Sequence, residues 1–355
     1  MEIHQIVVSA SAGDAVTNAA LDFQQLLQRV SPSRIFARYV DPRLDGKVFP
    51  LSTYEACDSP ENLLIYHASI GEPEVIEFLL DRPGRLVLVY HNITPPEYFT
   101  DLDPAFAGLL ARGRWELELL RDRAEVALAV SAYNARELEA LGYEDVRISP
   151  LPIDINALHS TEPDPATMAD LDALDGPLIL FVGQLLPHKR PDLLLQAFHV
   201  VTTYLLPEAN LALLGPGRLE RYREALATLA RELNLHGARI PGWLTQEQLA
   251  AYYRRCDLFA TMSEHEGVCV PLLEAMSFDV PVVARAYAAI PETMDKAGLL
   301  LPPDGDAMLI AEALAALLGE GPLRSELVRR GRARVEDFDA DSARATFLGH
   351  LASVA

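Results

Sequence analysis

A chain of 355 residues is long enough for two domains of ordinary size. Half of its residues are hydrophobic and 23% are charged, a globular composition and not a disordered one. The net charge of −21 argues against a nucleic-acid partner, which needs a basic face, and membrane association is not indicated. Cys57, Cys256 and Cys269 are odd in number and lack C-x-x-C spacing, so a reducing compartment and no structural metal site are expected. The opening MEIHQIVVSASAG has no basic region ahead of a long apolar core. No apolar run approaches the ~20 residues that span a bilayer. The expected location is the cytoplasm.

Residues 3–10 predict a buried strand, 11–18 a loop and Ala19 onward a helix. Gly13 permits close backbone approach to a ligand, and Asp14 suits either a helix cap or a hydroxyl contact. Strands recur at Arg34–Tyr39, Leu63–Tyr66, Arg85–Tyr90, Val126–Val130 and Asp145–Ser149, with helical segments between several of them. This alternation predicts an α/β architecture built on a parallel sheet. Ligands bind such sheets beyond the carboxyl ends of the strands, where His67 and His91 fall. His67 reads as a structural histidine. His91 opens a kinked polar loop, Asn92-Ile93-Thr94-Pro95. Residues 105–125 predict a charged amphipathic helix, and Ser131 a cap on the helix that follows it.

Pro150 to Pro177, rich in Pro, Asp and Thr, reads as a hinge. The second half opens with a strand at Leu178–Val182, a turn from Gly183 to Pro191 and a helix from Asp192. Lys189 and Arg190 beside that turn suit a diphosphate, whose departing oxygens need neutralising. Another strand is expected at Leu211–Gly217, a loop at Arg239–Trp243 with Trp243 packed beneath the next helix, and a strand at Leu258–Thr261. Ser263 to Glu292, SEHEGVCVPLLEAMSFDVPVVARAYAAIPE, then carries two acids about a helix start. Pro271 fits the first helical position, which places Glu274 in the first turn and Glu266 in the loop before it. Val280–Ala284 follows as a strand. The main-chain amides of Glu266, Gly267, Val268 and Cys269 would face an anion at that helix N-terminus. A carboxylate accepts two hydroxyl protons at once, so the pattern suits a ligand with both phosphate and diols. Helices at 307–318, 321–336 and 341–353 close the chain.

E-G-x-x-x-P-L-L-E-A-M, then x-x-x-V-P-V-V-A and I-P-E, resembles the retaining nucleotide-sugar glycosyltransferases with an E-x7-E signature (glycosyltransferase group 1). The resemblance implies the GT-B fold, two Rossmann-like domains facing across a cleft. These would be residues 1–152, with 337–355 packing back on them, and residues 153–336. Pro150 to Asp154 looks like the family's P-x-x-x-D crossing. The implied activity is transfer of a hexose, with retention, from a nucleoside-diphosphate sugar to a carbohydrate or lipid-linked acceptor. Neither a metal nor a separate cofactor is implied. Glu266, His91 and Lys189 would be catalytic. Gly13, Gly183, Gln184, Arg190, Gly267, Val268, Cys269 and Glu274 would bind the donor, Glu274 at its ribose. Gln184 stands where relatives commonly have arginine. The alternatives are a nucleotide-sugar epimerase, and a catalytically weak nucleotide-sugar-binding subunit.

Overall fold

The computed structural model describes residues 1–354. The chain divides into two units, one of Met1–Ile153 with the stretch from Phe338 on, the other of Asp154–Asp337.

The first unit is built on seven strands: β1 (Ile3–Ala10), β2 (Ile35–Val40), β3 (Val48–Pro50), β4 (Leu63–Ala68), β5 (Arg85–Tyr90), β6 (Val126–Ala129) and β7 (Val146–Ile148). Their order is β3-β2-β1-β4-β5-β6-β7 and every pairing is parallel. β4 is buried throughout and β5 from its second residue, which is why both read as unbroken apolar runs. The first helix starts at Ala15, four residues before the sequence expectation, because Asp14 accepts from Thr17 N at 2.9 Å and caps it. Ser131 likewise caps the helix Ala132–Ala140. The predicted helix at 105–125 is shorter, Pro104–Leu120, capped by Asp103. The last helix, Ala340–Ala352, belongs to this unit: Phe347 stacks on Phe23 with ring centroids 3.8 Å apart, and Arg344 pairs with Asp22 at 2.5 Å.

The second unit has six parallel strands: β8 (Leu178–Val182), β9 (Asn210–Leu214), β10 (Ala238–Gly242), β11 (Leu258–Thr261), β12 (Val282–Arg285) and β13 (Leu299–Leu301). Their order is β10-β9-β8-β11-β12-β13. Three sequence expectations fail here. The hinge contains a helix, Pro165–Asp172, because Asp164 caps it through Thr167 N at 2.7 Å and Pro165 suits its first turn. Residues 239–242, expected as loop, lie in edge strand β10. An edge tolerates Pro241, whose missing N–H leaves no inner ladder bond unmade, and the register slips between Arg239 and Gly242. Trp243 does not pack beneath a helix; it is 71% exposed.

Candidate active site

In the second unit the strand order reverses between β8 and β11, so the loops leaving these two strands open beside each other. After β8, Gly183 N donates to Leu214 O at 2.9 Å and Leu185 N to Pro216 O at 3.1 Å. Gly215 lies so close that a Cβ there would collide with the Gly183 carbonyl oxygen, and its φ of +138° suits glycine. This packing fixes the Gly183 turn. Gln184 points outward and is exposed. After β11, Glu264 N donates to His188 O at 2.7 Å and ties the two loops together. Lys189 Nζ consequently lies 2.6 Å from Glu266 Oε1, with the side chains 18% and 12% exposed.

Arg190 is committed elsewhere. Its guanidinium meets Asp192 at 3.1 Å and Glu264 Oε1 at 2.5 Å, and Arg285 reaches the same Glu264 oxygen at 3.0 Å. Tyr222 donates to Asp192 Oδ1 at 3.1 Å. The cluster anchors Glu264 two residues before Glu266, and Lys189 is the cation brought directly to that acid.

The helix after the turn is Val270–Ser277, so Pro271 is its second residue and Glu274 lies a full turn in, not in the first turn. Cys269 caps it in the left-handed region, at φ +65°. The first amides of such a helix have no intrahelical acceptor, and they follow directly on Glu266, Gly267 and Val268. Burial pushes the Cys269 thiol well up, and the neighbouring Glu266 carboxylate adds to this, so it is an inert thiol whose amide faces the turn. Glu274 Oε2 accepts from Tyr253 OH at 2.7 Å. Burial raises the Glu274 carboxyl, and the Tyr253 hydrogen bond opposes that shift.

In the first unit, His67 and His91 sit at the carboxyl ends of neighbouring strands, as the sequence suggested, but they act as a pair. His67 Nδ1 is 2.8 Å from His91 Nε2, and His67 Nε2 is 2.9 Å from Gln5 Oε1. Burial lowers both rings, His91 to about 4 and His67 well below its ordinary value, so both are neutral near pH 7. Gly13 follows β1 in an exposed turn at φ +87°, with open space where a Cβ would be. Asp14 is a cap, as described above. Glu2, His4 and Cys57 have ligand atoms within 4.8 Å of one another, yet they suit a metal poorly. His4 Nδ1 accepts from Arg34 N at 3.3 Å, which puts the ring proton on Nε2, the nitrogen that would have to bind.

Sequence reasoning missed Tyr253 and Gln5. Tyr253 reads as one more aromatic of its helix, and only tertiary structure brings it onto an acid 21 residues later. Gln5 is a buried polar residue next to His4 in a largely apolar strand, and its partners come from other elements.

Residues 167–334, which carry Gly183, Lys189, Tyr253, Glu266 and Glu274, match the family described as "Glycosyl transferases group 1". This segment belongs to the group 1 glycosyl transferases. A D-inositol 3-phosphate glycosyltransferase of Xylanimonas cellulosilytica is 32% identical over 179 residues, 49% of this chain and 42% of that one. A GDP-mannose-dependent monoacylated alpha-(1-6)-phosphatidylinositol monomannoside mannosyltransferase of Corynebacterium glutamicum is 27% identical, over 64% of this chain and 62% of its own. The matches thus span less than two thirds of these relatives. Among solved structures, Anabaena HepE with UDP-glucose aligns with a TM-score of 0.80 at 16% identity, covering 99% of this chain and 100% of that one. A sucrose-phosphate synthase of Thermosynechococcus elongatus aligns with a TM-score of 0.74 at 19% identity, over 99% and 98% of the two chains. The group 1 segment is therefore half of a GT-B fold, in which each unit is Rossmann-like.

Proposed function

We propose that the chain is a retaining, metal-independent glycosyltransferase that moves a hexose from a nucleoside-diphosphate sugar to a carbohydrate or lipid-linked acceptor. The observation that carries this reading is the convergence of Lys189 on Glu266 beside the Gly267–Cys269 turn, with Glu274 held by Tyr253 on the helix that follows. Lys189 and the turn amides stabilise the diphosphate as the bond from C1 to the phosphate oxygen breaks. Glu274 accepts from the ribose diol. Glu266 faces the sugar and bears on the positive charge that develops at C1. His91 contacts a hydroxyl of the transferred sugar, and Gly13 lets the loop after β1 approach the ligand. The acceptor oxygen forms its bond to C1 on the face the phosphate leaves, and its proton passes to the leaving phosphate oxygen. No side-chain nucleophile is used and no cofactor is required. Most of the acceleration is electrostatic and positional.

A second reading, a catalytically weak nucleotide-sugar-binding subunit, rests on Gln184, which is exposed and uncharged, and on Arg190, whose charge is already matched by two carboxylates. Proton NMR of the product anomer, with chelator present, separates the readings. The transferase gives the donor's own anomeric configuration at an undiminished rate in chelator. Inversion or loss of turnover in chelator overturns the mechanism, and tight donor binding without turnover selects the second reading.

A further inference from the structure

Side-chain amides and imidazoles become directional once a main-chain carbonyl, which can only accept, anchors one end of a chain of hydrogen bonds. Here two carbonyls do so. Gln24 Nε2 donates to Ser33 O at 2.6 Å, and Gln5 Nε2 donates to Ala20 O at 2.9 Å and to Gln24 Oε1 at 3.0 Å. Gln5 Oε1 is therefore turned toward His67 Nε2, 2.9 Å away, and that nitrogen must carry the proton. His67 Nδ1 is then a lone pair. The nitrogen of His91 that faces it at 2.8 Å must be the donor, which leaves the other His91 ring nitrogen as an acceptor. Gln5, Gln24 and His67 are all buried, so water offers them no easy alternative. The relay crosses three adjacent strands, β1, β4 and β5, and Phe23 covers the His67 ring at a centroid distance of 6.3 Å.

We propose that Gln5 and His67 are positioning residues that hold His91 with its proton on Nε2, so that Nδ1 offers a lone pair to a sugar hydroxyl and selects a neutral hexose over a hexuronate. This rests on the nucleotide-sugar reading above. A hydroxyl donates to that lone pair, whereas a carboxylate meets it as acceptor against acceptor and loses its water with nothing in return. Neutrality of both rings near pH 7 supports the arrangement, because an imidazolium would donate at both nitrogens.

Two measurements test it. Long-range proton–nitrogen correlation of the imidazoles in the wild-type protein reports the tautomer directly and needs no ligand. His91 with a protonated Nε2 and an unprotonated Nδ1 is expected, and the opposite tautomer overturns the proposal. The second compares the affinity ratio of a nucleoside-diphosphate hexose to the matching hexuronate in wild type and in Gln5→Met. The variant keeps the side-chain length and removes the amide that sets the direction, so the ratio should fall by about tenfold, the equivalent of ~1.4 kcal/mol. An unchanged ratio in a folded Gln5→Met, with the hexose donor still binding, means that the relay only packs the core and overturns the positioning role. If neither donor class binds the wild-type protein, the nucleotide-sugar reading itself fails and the selectivity falls with it.

Discussion

Lys189 Nζ lies 2.6 Å from Glu266 Oε1, and this pair joins the loop after β8 to the loop after β11. The two side chains come from segments more than seventy residues apart, yet the strand order makes them neighbours. A pair that is mostly shielded from water is costly to break from one side, because the charge left behind keeps its desolvation without its partner. Lys189→Met and Glu266→Gln should therefore each destabilise the protein, and the double variant should lose less than their sum, with a coupling of about 1–3 kcal/mol in urea denaturation. Turnover should show another pattern. Lys189→Met loses the neutralising charge on the leaving diphosphate and should drop kcat by about a hundredfold or more. Additive stabilities would mean that the two side chains do not pair in solution.

Glu274 makes the opposite prediction for stability. Its carboxyl is raised above the ordinary glutamate value of 4.5, so the folded state holds its proton more tightly than the unfolded one. The sign follows: this stability is present below the unfolded value and is lost as pH rises through the folded value. Glu274→Gln keeps an oxygen for Tyr253 and removes the buried charge. It should gain about 1 kcal/mol at pH 7 while donor binding weakens at least tenfold, a trade expected of a residue kept for function. Loss of stability with unchanged donor affinity would make Glu274 a structural acid.

Gly215 sets the Gly183 turn through its close approach to the Gly183 backbone. A methyl group there collides with the Gly183 carbonyl oxygen, so Gly215→Ala must push the loop after β8 outward. We expect it to cost at least about 2 kcal/mol by chemical denaturation and to weaken donor binding along with stability. The same substitution at Gly13, where nothing lies within 4 Å of the added carbon, brings only the strain of φ +87° and should cost about 1 kcal/mol.

Much of this could be read from the sequence. The strand at 178–182, the glycine turn, Lys189 and the acids at 266 and 274 all lie in local patterns, because strand, turn and helix starts are written in short-range chemistry. Pro165 and Pro241 misled for a physical reason: proline marks loops, but it equally suits a helix's first turn and an edge strand. The commitment of Arg190 to Asp192 and Glu264, the hold of Tyr253 on Glu274 and the Gln5–His67–His91 relay were not legible. Apart from the local Arg190–Asp192 contact, each depends on which elements the fold brings side by side, and hydrophobic periodicity does not report that order.

The partly buried His91 predicts an acid limit to stability. His91 falls from the ordinary 6.5 to about 4. Between those values the unfolded chain binds the extra proton and the folded one does not, so stability is lost as pH falls through this window. His91 alone accounts for at most about 2 kcal/mol between pH 7 and pH 5. Urea denaturation at the two pH values should show the loss, and His91→Phe should show a loss smaller by that amount. Equal losses in the two proteins would place His91 in water.

The most direct test of the central claim is calorimetry with UDP-, GDP- and ADP-sugars on the wild-type protein and on Glu274→Gln and Lys189→Met. The account predicts that one nucleotide class binds, that both variants weaken it at least tenfold, and that donor at ~100 times its Kd adds about 2.7 kcal/mol of stability. Binding of no nucleotide sugar by the folded protein, or binding that neither variant disturbs, would contradict it.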